Sequence, residues 1–259
     1  MGDWLYTADP LAVYAVTVLL MVGAVELGAL LGRRDRARHP GETGGFLSGL
    51  AAQSMGLLAL MIGFTFAMAL SRFETRKEAV VDEANTIGTA SLRGRMLPAP
   101  FNAHVAPLLK EYATLRVVGR GFRWGSLQAG EKLARSARIQ DELWMEATAA
   151  AKADPSVVPT GLFIQALNAM IDMHGKRLAA GRNRVPAVVF LMLEGVALVA
   201  LGFSGHAAAQ NPRPHRVAMA LMAVMIASVI TLVLDLDNPQ AGIITVSQQP
   251  MLDVIRGMR

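Results

Sequence analysis

The sequence predicts an all-α fold: a polytopic membrane protein with four transmembrane helices and a helical extramembrane domain inserted between spans two and three. Three observations predict it. Of the 259 residues 53% are hydrophobic and 17% charged, with a mean hydropathy of +0.38, a balance that fits a membrane protein with one sizeable water-exposed part. Apolar runs recur at residues 11–31, 46–70, 186–203 and 216–234, and a helix rising about 1.5 Å per residue crosses a hydrocarbon core of roughly 30 Å in about 20 residues. Apolar positions elsewhere return at helical spacing, and no alternating strand pattern is found.

The opening MGDWLYTADP holds two aspartates and no Lys or Arg. A secretory signal has a basic start and a shorter apolar core, so residues 11–31 read as a first span. The stretch GRRDRARHPGETGG follows, where Arg33, Arg34, Arg36 and Arg38 crowd a short loop. The positive-inside rule places such a loop in the cytoplasm and the N-terminus outside. Residues 46–70 carry no charge, and nothing breaks the passage through Ser71, Arg72 and Phe73. One helix is therefore expected to leave the bilayer and run on in water until Pro98 and Pro100 stop it.

The polar region 72–183 reads as further helices at 101–118, 127–153 and 156–180, separated by GRGFRWGS and DPSVVP. The expected organisation is residues 1–71 for spans one and two, 72–183 for the helical domain, 184–236 for spans three and four, and 237–259 as a tail. Four spans put the central domain and both termini on the outer side. Basic residues beside the domain (Arg72, Arg76 and Lys77; Lys176, Arg177, Arg182 and Arg184) argue for the opposite orientation. Long domains translocate largely regardless of charge, so the short arginine loop is given more weight.

The chain has no cysteine, hence neither a disulfide framework nor a thiolate metal site, and the metal question is left unknown. Its formal charge of +5 is spread along the sequence. That pattern suits lipid headgroup contact and topology, not nucleic-acid binding.

Along the second span Gly45, Gly49, Ala52, Gly56, Ala59 and Gly63 return at three- and four-residue steps and share one face. Helices in lipid associate by close packing, which such a face permits. It serves either packing within one subunit or a helix crowding an oligomer axis, with Gln53, Ser54 and Thr65 then available to a water-filled path. Farther on, Glu74, Glu78 and Asp82 make an acidic stripe, ordinarily a solvated and ion-paired surface. Glu74 is also a candidate for the ion path.

Glu26 and Glu194 are the ionisable residues inside apolar runs. Carboxylates at that depth are costly and mark functional sites by default. The structural alternatives are that Glu26 reaches the interface and that Glu194 is protonated and hydrogen-bonded to a neighbouring helix. Asp235 and Asp237, at the exit of the fourth span, could gather or bind hard cations through oxygen ligands, or could cap and stop the helix. In the returning helix of the domain, Asn168, Asp172, His174 and Arg177 form either a polar cluster facing the long helix or an intrahelical set.

No enzyme constellation appears: the chain has no HExxH pair, GxSxG elbow, phosphate-binding loop or dinucleotide fingerprint. No cofactor is implied. Three stretches, GFTFAMALSRFETRKEAVVDEANTIGTASLRGRMLP, LFIQALNAMIDMHGKRLAAGRNRVP and LDLDNPQAGIITVSQQPMLD, resemble the bestrophin-like domain family of bacterial membrane proteins, in the family's order, over about residues 45–253. The resemblance implies kinship to bestrophins, pentameric calcium-gated anion channels with a four-span membrane part. It also implies a multi-pass protein of the bacterial inner membrane whose partners are lipid, inorganic ions and further copies of itself. The acidic run by which bestrophins bind calcium has no counterpart here.

The leading expectation is thus a homo-oligomeric ion channel or channel-like protein with span two near the axis. The alternative is a non-conducting membrane sensor or scaffold acting through its helical domain. A third reading, a proton-coupled carrier, needs Glu26 and Glu194 to face one cavity.

Overall fold

The computed structural model describes residues 9–39, 45–119, 121–122, 125–153, 157–211, 216–238 and 242–258. The predicted breaks at GRGFRWGS and DPSVVP, and the loops after the first and third spans, fall partly outside these. The described residues form eight helices: α1 (Pro10–Arg38), α2 (Gly45–Gly94), α3 (Phe101–Arg116), α4 (Leu127–Ala153), α5 (Val157–Arg182), α6 (Ala187–Ala209), α7 (Arg216–Asp237) and α8 (Gln249–Gly257). No strand occurs among them. Four helical stretches, within Pro10–Arg38, Gly45–Gly94, Val158–Ala209 and Arg216–Asp237, are long and apolar enough to cross a membrane.

The chain divides into two compact units, Met1–Ser71 with Val185–Asn238, and Arg72–Arg184 with Pro239–Arg259. In the first unit Asp9 starts α1, its Oδ1 accepting from the backbone N–H of Leu11 at 2.7 Å and of Ala12 at 3.2 Å, with Pro10 in the first helical position. The helix then buries Thr17, Met21, Val25, Gly28 and Gly32, a stripe at three- and four-residue steps. That stripe meets the matching one on α6, where Leu193, Ala197, Ala200 and Leu201 are buried. Glycine lets the two backbones touch. A Cβ on Gly28 would sit 2.0 Å from the Gly202 carbonyl oxygen, and one on Gly205 would sit 2.2 Å from that of Val25. Helix α7 adds Ala223, Ala227 and Ile230 to this core, and α2 contributes Leu58.

The expected loop of arginines is helical in its first half. Helix α1 continues through Arg33 and Arg34 to Arg38, with Arg36 and Arg38 in its last turn. Cations there complement the negative end of the helix dipole. Arg36 Nη1 donates to the Asn211 carbonyl at 3.2 Å, and Arg33 Nε to that of Ala29.

The second unit is a helical domain around one apolar core. Ala84, Ile87 and Ala90 of α2, Val105 and Leu109 of α3, Ile139 and Leu143 of α4, and Phe163, Leu167 and Met170 of α5 are all buried in it. Helix α2 runs unbroken to Gly94, where a Cβ would press on Val105 at 3.1 Å and Phe163 at 3.3 Å. The tail is part of this core: α8 inserts Met251, fully buried, and Met258 follows it. Residues 237–259, expected as a C-terminal tail, thus carry a nine-residue helix that belongs to the second unit from Pro239 on.

Candidate functional site

In the first unit, helix α2 has one face that no described residue covers. Gln53, Gly56, Leu60, Gly63, Ala67 and Leu70 are exposed and follow one another at alternating three- and four-residue steps. Leu60 is 56% exposed and Phe64, at the edge of the stripe, 69%. A Cβ added to Gly45, Gly49, Gly56 or Gly63 would meet nothing within 4 Å. The opposite face carries the buried Ala51, Leu58 and Ala69. Ser54 is half-buried, and Thr65 is turned inward, 4% exposed, with its hydroxyl donating to the Met61 carbonyl at 2.7 Å. Of the three polar residues proposed together, only Gln53 therefore lies on the glycine face. Glu74 continues the same register, exposed and paired with Lys77 at 3.4 Å.

The two carboxylates that interrupt apolar runs, Glu26 and Glu194, have different surroundings. Glu26 is half-buried and held by Arg216, at 2.5 Å from Nη2 and 3.3 Å from Nε, with Arg33 at 3.8 Å. Glu194 lines a cavity among α1, α6 and α7 to which Glu26 contributes nothing. The two do not share a cavity, which removes the geometry a carrier using both would need. Asp237 is fully buried, and its Oδ2 accepts from the Val185 backbone N–H at 2.7 Å, tying the end of α7 to the segment that starts α6. Asp235 is half-buried. Among the described residues no group of three His, Asp or Glu side chains could hold a metal ion.

In the second unit a further candidate is Glu83, which no motif in the sequence marks. It sits on the buried stripe of α2, with Val80, Ala84 and Ile87, and is itself fully buried. Arg116, at the end of α3, donates from Nε to its Oε1 at 2.7 Å, and Arg177 of α5 donates from Nη1 to its Oε2 at 2.5 Å. Arg177 Nη2 reaches on to Gln248 Oε1 at 2.8 Å, which ties the start of α8 into the cluster. Two guanidinium groups against one carboxylate leave one net positive charge in the core. Burial lowers the Arg177 pKa, with the neighbouring Glu83 opposing.

Beside this cluster the Tyr112 hydroxyl lies 2.9 Å from His174 Nδ1 and receives the Gln140 side-chain amide at 3.2 Å. With its oxygen accepting from Gln140, the phenol donates to Nδ1, so the imidazole proton is assigned to Nε2. Burial first, and then the Glu83 charge, push the Tyr112 phenol well above its usual value. Burial first, and then the Arg116 charge, pull His174 from 6.5 down to about 4. Between those values an unfolded chain binds a proton that the native histidine does not. Stability is therefore full above about 6.5 and falls as pH drops from there toward 4. The melting temperature of the wild type should fall across that window more steeply than that of His174→Gln, and equal slopes would count against the assignment.

Comparison with known proteins places this geometry. The family model of the Bestrophin-like domain matches residues 12–251. No curated protein matches the chain by sequence. Solved structures of a bacterial bestrophin homologue from Klebsiella pneumoniae share the fold. One point variant is 16% identical with a TM-score of 0.72, covering 97% of each chain. Another is 16% identical with a TM-score of 0.71, over 94% of this chain and 96% of that one. The form phased on zinc is 18% identical with a TM-score of 0.67 over 96% of each.

Proposed function

Because this chain belongs to the bestrophin-like family, we propose that it is a homo-oligomeric ion channel whose α2 helices line the axis, the exposed glycine face of each turned toward the other copies. The family is one of ion channels, not of enzymes. One observation carries the reading: a stripe on this long apolar helix holds Gly45, Gly49, Gly56 and Gly63, where an added Cβ would meet none of the described residues within 4 Å. Small residues in lipid are a packing device, so an uncovered stripe of them fits packing against further copies. A pentamer is the number the family suggests. Gln53 lies on that stripe and supplies a side-chain amide that can replace part of an ion's water. Ser54 is half-buried and Thr65 is turned inward, off that stripe. The buried Asp237 acts in our reading as a clamp on the start of α6.

Mass determination in mild detergent and flux from liposomes, with chloride and potassium tested separately, examine this directly. A symmetric oligomer with selective flux is expected. Gln53→Leu should change conductance with the oligomer intact, and unchanged currents would remove Gln53 from the path. A well-folded particle that passes neither ion would favour the sensor or scaffold reading.

We further propose that residues 72–183 form an extramembrane domain on the outer side of the bacterial inner membrane. Leu127 is 91% exposed at the start of α4, and the native chain has no cysteine. Leu127→Cys should react with an impermeant thiol reagent in intact cells. Reaction only after lysis would put the domain in the cytoplasm.

A further inference from the structure

The cavity that contains Glu194 has features no packing role accounts for. It measures about 320 Å³ and is lined by α1, α6 and α7, a size at the lower end of small-molecule sites, roughly 300–1,000 Å³. Its floor is buried, with Phe190 at 5% and Ile230 at 6% exposure, while its rim is open at Val16 (55%) and Leu191 (56%). The walls are almost wholly aliphatic or aromatic. Three polar side chains break that surface, Thr17, Glu194 and Thr231, and of their atoms Glu194 Oε1 and Thr231 Oγ1 are buried without a hydrogen-bond partner among the described residues.

Such atoms are expensive to leave unmatched in an apolar setting, and a carboxylate more so than a hydroxyl. The tertiary structure could have satisfied them with a serine or an arginine, as Arg216 satisfies Glu26 on the same bundle. It has not. We infer that the cavity is a binding site for a single-chain amphiphile with a primary ammonium head: the alkyl chain fills the groove, and the head donates hydrogen bonds to Glu194 and Thr231. Charge complementarity selects the occupant, because an acid or an alkane would leave the carboxylate unmatched or repelled. Size selects a single-chain amine over an aminophospholipid, because about 320 Å³ holds one short alkyl chain and not two long ones.

The site does not depend on whether the assembly conducts, and its test has no flux readout. The full-length protein is placed in vesicles of phosphatidylglycerol and phosphatidylcholine, whose heads lack primary amines. It is then photolabelled with decylamine, decanol or decanoic acid, each carrying a diazirine in the chain. Decylamine should label peptides containing Val13 or Leu234, and unlabelled decylamine should compete. Glu194→Gln should weaken that labelling about tenfold, the loss expected for one charge-assisted hydrogen bond. Leu191→Trp, which fills the groove from its rim, should abolish labelling by amine and alcohol alike.

Equal labelling by all three probes, or a Glu194→Gln variant that labels like wild type, would overturn the ammonium assignment. Complete competition by phosphatidylethanolamine would overturn the single-chain source. A Val16→Cys variant that cross-links to a second copy, with the amine unable to prevent it, would assign the groove to subunit packing instead.

Discussion

Glu83→Gln should destabilise the second unit by about 3–5 kcal/mol, the cost of leaving buried charge without its partner. The substitution keeps shape and volume, so no cavity confuses the result. What it removes is the single negative charge facing both Arg116 and Arg177, each about 95% buried. Neither guanidinium can reach water without unpacking α3 or α5, and Nη2 of Arg116 already lacks a hydrogen-bond partner among the described residues. The loss should register as a lower melting temperature of the detergent-solubilised protein and as faster proteolysis within Arg72–Arg184. The triple variant Glu83→Gln, Arg116→Met, Arg177→Met should recover part of the loss, since a well-packed apolar set can replace a buried ionic one. A Glu83→Gln protein that melts with wild type would mean that the cluster contributes nothing net.

The cluster marks how much the sequence discloses. Its members stand at readable positions. Glu83 falls three residues after Val80 and four before Ile87 on the apolar stripe of α2. Arg116 falls seven after Leu109, and Arg177 seven after Met170, each on its own helix's buried face. A charge in an apolar stripe is a sequence-level sign of a buried partner. Which partner is not readable, since the three residues are separated by 33 and 94 positions and meet only when α2, α3 and α5 pack. The helices themselves were legible because their period is local, and α3, α4 and α5 lie within a few residues of the expected ranges. The short amphipathic α8 was not, because nine residues sustain too few turns to stand out. For the candidate site, the glycine face of α2 was visible as spacing. That no described residue covers this face, and that Thr65 points away from it, required knowing which side of α2 carries the buried Ala51, Leu58 and Ala69.

The glycines that make the tightest contact were not the ones whose repetition drew notice, and they carry the second large effect. Gly28→Ala should destabilise the first unit by about 1–3 kcal/mol, the usual range for forcing one extra carbon into a packed interface. The added Cβ would lie 2.0 Å from the Gly202 carbonyl oxygen and 2.8 Å from its carbon, and both obstacles are backbone. No rotamer change can relieve such a clash, so α1 and α6 must separate. Separation also loosens the contacts at Gly32, whose Cβ position is 2.5 Å from the His206 carbonyl oxygen, and at Gly205. Gly23→Ala provides the comparison on the same helix, five residues away, where a Cβ meets nothing within 4 Å. There alanine should be neutral or stabilising by up to about 1 kcal/mol, the helix-propensity difference between the two residues. Thermal unfolding of both variants in one detergent reads the contrast. If Gly28→Ala and Gly23→Ala melt together, α1 and α6 do not pack backbone to backbone, and close helix approach in this protein is confined to the face of α2.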